Sequence, residues 1–577
     1  MRVILRHSFG TAVLLCIRRC SQQAYRPSYW HQPGAQPLLA LTMGRLLEQA
    51  ALRYGDREAV VSHQQGARLS FRQVHQEVDR LAAGLMSVGL SRGDRLGLWG
   101  GNCLEWYVTA LAAARAGLAL VCLNPGYEAA ELGHCLSKVE VRGLVATASG
   151  YDRLQKLLPE LGSSKPGKLR NKEIPSLSTV ILTGTKPAEG TYGYNQVMDL
   201  ATNENLERVL NLQKDIQPDE CCQIQFTSGT TGKPKAAVLT HHNIVNNSFC
   251  VGKRLQFNEK QHRICLQVPL FHCYGFCNGL LAALHYGSTL VLPSLSYSAR
   301  ASLEAIEKER CTAVYGTPTM YVDLVSLIES GDVSRYSSLQ FALNSGALIT
   351  EQLFRQVQEK LSLNKVCSVY GLTETSPVVF QSLQSESRDH MLTTVGHVSE
   401  HVEVKVIDKE GKMVPIGEPG ELCIRGYVTI SGYWADEAKT RELIDENGWL
   451  KTGDLFILKE DGYGMVVGRL KDMIIRGGEN ISPKEVQELL ETHPDILEAQ
   501  VFGIPHARLG EQVCSCIRIK EGSGLTPEKV QEFAKGKIAG FKIPKIIEIV
   551  AEFPRTTSGK IQTFKLRDAF MKKYPAQ

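Results

Sequence analysis

Residues 227–235 read Thr-Ser-Gly-Thr-Thr-Gly-Lys-Pro-Lys, and this run limits the fold more than any other in the chain. It lies between two strand candidates, 223–226 and 236–239. Small residues let the backbone curl until successive N–H groups converge on an anion. The hydroxyls of Thr227, Ser228, Thr230 and Thr231 add donors, and Lys233 and Lys235 add positive charge. A Walker A loop is excluded by spacing: that motif puts four residues between its glycines and Ser or Thr after its lysine. Here two residues separate Gly229 from Gly232, and Pro234 follows Lys233. The expectation is a phosphate cradle of another construction, Thr227–Lys235. A polar turn is the plain alternative.

At 577 residues the chain is too long for one core, and at least two domains are expected. From about Met43 helix and strand alternate. Ser70 and Gln73 have the spacing of a capping box, and Phe71, Val74, Val78, Leu81 and Leu85 recur at helical period. A strand at 94–99, a helix at 102–116, a strand at 118–123, a helix from Glu128 and a strand through Leu144 follow. Such repetition predicts a largely parallel sheet covered by helices. Residues 162–176 and 381–390 read as polar loops. Between 402 and 426 the period shortens to alternation with Gly and Pro, which predicts a small antiparallel unit. Beyond Gly468 the character changes again. Ser482 as cap and Pro483 in the first turn open a helix to about Leu490, and the remainder reads as a compact α+β unit. The fold class is therefore α/β: a large N-terminal domain of parallel-rich sheets with covering helices and a small antiparallel unit, then a small α+β C-terminal domain.

The formal net charge of +5 is unevenly distributed. Residues 1–47 hold Arg2, Arg6, Arg18, Arg19, Arg26 and Arg45, and the first carboxylate is Glu48. The rest of the chain is close to neutral, which gives no support to a nucleic-acid partner. An Arg-rich, acid-free leader reads as a mitochondrial targeting peptide over 1–41, cut between Ser21 and Leu41, with a basic tail as the alternative. No apolar run is long enough to span a bilayer. The 16 cysteines are scattered with no CxxC pair and no zinc spacing, so buried free thiols are expected. Cys514 and Cys516 share one face of an apparent strand.

The 227–235 loop resembles the phosphate loop of the adenylate-forming superfamily, which includes acyl-CoA synthetases, luciferases and peptide-synthetase adenylation domains. The resemblance continues in order along the chain. It takes in Pro269-Leu270-Phe271-His272, Tyr315-Gly316-Thr317-Pro318-Thr319, Ser345-Gly346-Ala347 and Tyr370-Gly371-Leu372-Thr373-Glu374. Lys451-Thr452-Gly453-Asp454, Gly468-Arg469-Leu470-Lys471-Asp472 and Thr557-Ser558-Gly559-Lys560 complete it. It covers roughly 46–566. Residues 474–480 and 541–545 draw it toward mitochondrial medium-chain acyl-CoA synthetases. One departure is Ala236, where many relatives carry Gly.

The resemblance implies two half-reactions. A fatty acid attacks MgATP to give an acyl-adenylate and pyrophosphate, and the thiol of coenzyme A then displaces AMP. It implies that Thr227–Lys235 hold the β- and γ-phosphates, that Glu374 ligates Mg²⁺ and that Thr373 meets the α-phosphate. Gly346 and Tyr370 would flank adenine, Asp454 would bind the ribose and Arg469 the ribose or a phosphate. Lys560 would be catalytic, and His272, Gly316 and Ala347 would wall the acyl site. For His272 a satisfied core histidine remains the alternative. A hinge at 468–472, carrying Lys471, would join 42–467 to a mobile 473–577. Gly477 and Gly478 would face coenzyme A. Another acceptor than coenzyme A, a non-catalytic binding protein and a P-loop ATPase releasing ADP are the competing readings.

Overall fold

A computed structural model of the protein describes residues 26–184, 187–227, 234–328, 332–346, 349, 351–476, 479–557 and 559–574. The strand–helix alternation resolves into two large mixed sheets. The first has eight strands, running in space from Gly432–Tyr433 through Lys235–Thr240, Cys221–Thr227, Ala119–Leu123, Arg95–Trp99, Gly143–Thr147 and Thr179–Thr183 to Tyr192–Gly193. Its pairs from Cys221–Thr227 outward to Tyr192–Gly193 are parallel, as the sequence predicts. The two strands enclosing the phosphate loop are antiparallel, with Lys235 opposite Thr227. That register closes the loop at its base.

The second sheet has nine strands and includes Arg263–Leu266, Ala313–Gly316, Phe341–Asn344 and Lys365–Gly371, which are mutually parallel. Between the two sheets lies the main core. Helix Leu104–Arg115 is buried almost all round, so its terminal Arg115 needs a partner. Asp79 supplies it from helix Phe71–Ser87, accepting from Nε at 2.6 Å and Nη2 at 2.9 Å. That second helix begins with the predicted capping box.

The third sheet is antiparallel: Tyr29–Gln32, Val402–Ile407, Gly420–Gly426, Leu450–Leu458 and Gly464–Arg469. The fourth joins Glu479–Ile481, Ile474–Arg476, Gly510–Ile519 and Ile496–His506, with Ile546–Ile549 on Gly510–Ile519. Sheet membership thus changes between Arg469 and Ile474. Cys514 and Cys516 do share a buried face, packed with Phe502, Phe553 and Phe570. All described cysteines are free. Among the described residues no helix is long and apolar enough to cross a membrane.

Three details differ from the sequence reading or go beyond it. Residues 26–41 are part of the fold: Tyr29–Gln32 is an edge strand on Val402–Lys405, and Asn246 bonds both N–H and C=O of Leu39. A leader extending to Leu41 would take that strand with it. Ser482 precedes its helix, but its hydroxyl donates to the Val467 carbonyl instead of capping. Residues 274–281 form a wide π-helical segment, for which the Cys-Tyr-Gly-Phe-Cys pattern carries no period signal.

Candidate active site

The strand ends and loops of the two large sheets, the third sheet and a loop of the C-terminal unit bring the described parts of the ordered motifs together. Thr227 ends one strand and Lys235 starts the next; Ser228 to Lys233, including Gly229, Thr230, Thr231 and Gly232, lie outside the described residues. Glu374 sits in the turn Thr373–Thr375, just after strand Lys365–Gly371. Its Oε1 accepts from the Thr227 hydroxyl at 3.2 Å and from the Tyr433 hydroxyl at 2.8 Å. Lys235 Nζ donates to the same Tyr433 oxygen at 3.0 Å and lies 4.3 Å from that ring's centroid. Burial, and then the Glu374 charge, push the Tyr433 phenol up, so it remains a donor. Thr227, Lys235, Glu374 and Tyr433 are one network across the base of the loop.

A second carboxylate acts on the same Lys560 that Glu374 does. Asp454 is nearly fully buried, and strand register sets it opposite Arg469. Arg469 Nε meets Oδ1 at 2.9 Å, and the Tyr370 hydroxyl donates to Oδ2 at 2.6 Å. Burial pushes the Asp454 carboxyl up, while Arg469 and Tyr370 pull it back down. The Tyr370 ring rests on Phe456 and Phe380, at 5.6 and 6.0 Å between centroids. This places a fixed aromatic edge beside the carboxylate.

Lys560 reaches the cleft from the far end of the chain. Its Cε lies 3.4 Å from the place a Cβ on Gly346 would occupy. Gly346 itself has φ +85°, a left-handed conformation that favours glycine. Solvent reaches Lys560, yet the surrounding protein removes enough water to lower its pKa from 10.5. Arg469 adds to that lowering, and Cys273, Glu374 and Asp454 oppose it. Lys471 is also lowered, first by burial, with Arg469 and Lys235 among the repelling charges. Lys235, Arg469, Lys471 and Lys560 are therefore neighbouring cations, the arrangement that suits a polyphosphate.

The wall behind Lys560 is apolar and aromatic. His272 has its pKa lowered to about 3 by burial and then by Lys560, so it is neutral near pH 7. Its Nδ1 accepts the Tyr274 N–H at 3.2 Å. The Thr373 hydroxyl lies 3.7 Å from Cys273 Sγ. Gly316 ends its strand with Gln267 Nε2 and the Tyr321 ring 3.1 Å from where a Cβ would stand. Tyr274 donates to the Leu343 and Gly316 carbonyls and stacks on Tyr315. Ala347, Gly477 and Gly478 lie outside the described residues.

Tyr433 is a site residue that the sequence reading missed. It sits in Ser431-Gly432-Tyr433-Trp434, and only the pairing of Gly432–Tyr433 with Ala237 and Val238 carries it to the loop. Cys273 is another: its N–H donates to Gln225 Oε1 at 3.0 Å.

Known proteins resemble this chain in sequence and in fold. Residues 47–434 match the family described as AMP-binding enzyme, and 485–560 match the AMP-binding enzyme C-terminal domain. The zebrafish (Danio rerio) medium-chain acyl-CoA ligase ACSF2, mitochondrial, is 43% identical over 550 residues, 94% of this chain and 90% of that protein. In fold, the anthranilate CoA ligase AuaEII in complex with anthranoyl-AMP superposes with a TM-score of 0.82 at 24% identity, covering 93% of this chain and 98% of that one. ATP-bound MatB from Rhodopseudomonas palustris gives 0.78 at 25% identity, covering 92% and 100%. The chain belongs to the AMP-binding enzyme family, and it has the α/β adenylate-forming fold with a smaller C-terminal unit.

Proposed function

We propose that this protein is an AMP-forming medium-chain acyl-CoA ligase. The observation that carries the proposal is the meeting of Lys560 with Gly346, Glu374, Asp454 and Arg469, from distant parts of the chain, in one cation-rich cleft. The medium-chain acyl-CoA ligase relative, matched over nearly the whole chain, supports the substrate class.

In the first half-reaction a carboxylate oxygen attacks the α-phosphorus of ATP, the bond to the bridging oxygen breaks, and pyrophosphate leaves. Two anions must approach, so fixed positive charge is the main requirement. Lys560 neutralises charge between the carboxylate and the α-phosphate. Thr227–Lys235 hold the outer phosphates, and Thr373 reaches the α-phosphate. Tyr370 and Gly346 flank adenine, and Asp454 and Arg469 hold the ribose. His272 is neutral and serves as a wall with Gly316 and Ala347, not as a proton carrier. In the second half-reaction the coenzyme A thiol attacks the acyl carbonyl carbon, its proton passes to solvent, and AMP leaves.

Magnesium fits the donor set in a limited way. Among the described residues no group of three His, Cys, Asp or Glu could hold a metal alone. Glu374, already at the loop base, would be the protein ligand to an ion whose other ligands are phosphate and water oxygens, as Mg²⁺ prefers. Bound there, the ion would offset phosphate charge.

The change of sheet between Arg469 and Ile474 supports a hinge at 468–472 joining 42–467 to 473–577. Gly477 and Gly478 then belong to the face proposed for coenzyme A. The acid-free leader and the mitochondrial relative support a mitochondrial, matrix-facing enzyme. The edge strand Tyr29–Gln32 favours a cut before Tyr29, toward the Ser21 end of the range and not at Leu41.

The test uses protein beginning at Arg26, ATP, Mg²⁺ and a ladder of straight-chain acids, with AMP and pyrophosphate followed with and without coenzyme A. AMP release that needs coenzyme A and peaks at intermediate chain lengths is expected. Release of ADP, or AMP formation indifferent to coenzyme A, rejects the ligase.

A further inference from the structure

The loop that carries Lys560 is held by an ionic cluster outside the nucleotide cleft. Arg555 and Ile561 bridge the base of the loop. Inside it the Thr556 N–H donates to the Lys560 carbonyl at 2.7 Å, and the Lys560 N–H donates to the Thr556 hydroxyl at 3.0 Å. Gly559 has φ +83° and lies so close to Thr317 Oγ1 that a Cβ would stand 3.2 Å away. The Lys560 backbone is thus tied to Thr556 and to the Arg555–Ile561 bridge, so its position depends on what anchors Arg555.

That anchor spans the third and fourth quarters of the chain. Arg555 Nη2 donates to both oxygens of Glu498, at 3.0 and 2.7 Å, in a bidentate pair. Its Nη1 donates to the Thr319 hydroxyl and, at 3.5 Å, to the Gly559 carbonyl of the Lys560 loop itself. Thr319 in turn donates to Glu498 Oε1 at 3.2 Å. Arg518 completes the charge balance on Glu498, and Asp323 faces Glu498 and both arginines. Glu498 and Thr319 are buried, at 7% and 8% exposure, so these bonds are shielded from water. Thr319 lies one residue beyond Pro318, in the segment that begins with Gly316 of the cleft wall. The Thr557 hydroxyl makes a second tie, donating to Asn124 at 2.6 Å.

We infer that Arg555, Glu498 and Thr319 are positioning residues that latch the Lys560 loop against the nucleotide cleft, and so serve the adenylation half-reaction and not thioester formation. The inference rests on the ligase reading above. None of the three reaches the cleft in place of Lys560. They act through the backbone of its loop, from a helix start on one side and a strand on the other.

Four variants test this: Arg555→Met, Arg555→Lys, Glu498→Gln and Thr319→Val, each assayed separately for the two half-reactions. Acid-dependent ATP–pyrophosphate exchange should fall about 10- to 100-fold in Arg555→Met and Glu498→Gln, the range expected for losing charge-assisted buried bonds. Conversion of supplied acyl-adenylate by coenzyme A should stay within about twofold of the unmodified protein. Arg555→Lys should recover part of the exchange, since one bond survives without the bidentate geometry. Should Arg555→Met fail to fold, Thr319→Val keeps the test open, because it removes one hydroxyl at nearly constant volume. Proportional loss of both half-reactions, or unchanged exchange, overturns the latch. Absence of exchange in the unmodified protein overturns the ligase reading instead.

Discussion

The two walls of the cleft are built by opposite means. The wall bearing Thr227, Lys235, Tyr370, Glu374 and Tyr433 consists of strand ends backed by apolar core, with Tyr370 seated on Phe380 and Phe456. Lys560 is instead held by polar contacts of its neighbours, Thr557 to Asn124 and Arg555 to Thr319 and Glu498. Apolar packing is lost as a whole when surfaces part, whereas the hydrogen bonds from Arg555 to Thr319 and from Thr557 to Asn124 can be exchanged for water, while Arg555 and Glu498 stay paired within 473–577. The difference suits the proposed chemistry: the nucleotide needs a wall that stays, and Lys560 is needed for only one of two steps.

The sharpest way to break this comparison is Lys560→Ala. If Lys560 serves adenylation alone, exchange should fall by about 10²- to 10³-fold, the usual loss when a preorganised transition-state contact is removed. Thioester formation from supplied acyl-adenylate should continue. Equal loss in both assays would make the two walls functionally one.

A second test uses pH. Lys560 must be protonated to neutralise phosphate charge, and its pKa is lowered from 10.5 by the water that the surrounding protein displaces and by Arg469. Adenylation should therefore decline as pH rises through that lowered value, earlier than for a solvated lysine. Lys560→Arg keeps the charge at every accessible pH, so residual exchange should lose this alkaline limb. A limb that persists in the arginine variant would assign it to another group. For stability the sign is opposite. A lysine whose folded pKa is depressed disfavours the native state below that pKa, and the penalty fades as pH rises toward the unfolded value.

The permanent wall gives a smaller effect. Tyr433→Phe removes the hydroxyl that Lys235 and Glu374 share, and leaves the ring under Lys235. About tenfold in kcat/KM for ATP is expected, from roughly 1–1.5 kcal/mol per hydrogen bond. The melting temperature should hardly move, because the core behind the strand is untouched. A large fall in stability with unchanged kcat/KM would show that Tyr433 is only structural.

The two walls also differ in how far the sequence discloses them. Period and capping residues disclose the strands on either side of the loop and the helix behind Ser70, because local spacing decides them. Linear motifs disclose Asp454, Arg469 and Glu374, since each stands in a run of distinctive residues. Tyr433 and Glu498 are hidden for one reason: their partners lie 59 and 57 residues away, and ordinary strand positions become site positions only through pairing. The edge strand Tyr29–Gln32 is hidden differently. The same acid-free, basic composition that marks a leader runs on past its end, so composition alone cannot place the boundary.

The smallest expected change concerns His272, where the walls meet. With its pKa lowered to about 3, it carries no charge over the range in which an ordinary histidine titrates. His272→Gln should therefore leave the shape of the pH–rate curve unchanged between about pH 5 and 8. The effect should appear instead in KM for the acid, because the side chain stands beside Cys273 and Tyr274 in the aromatic wall. Burial alone explains most of the lowering, and Lys560 adds to it, so Lys560→Ala should raise the His272 pKa without bringing it to an ordinary value. Titration of the His272 ring by NMR in the two proteins measures this directly. A shift of that size and sign would show the two walls in electrostatic contact, and no shift would place Lys560 farther from His272 than the closed cleft requires.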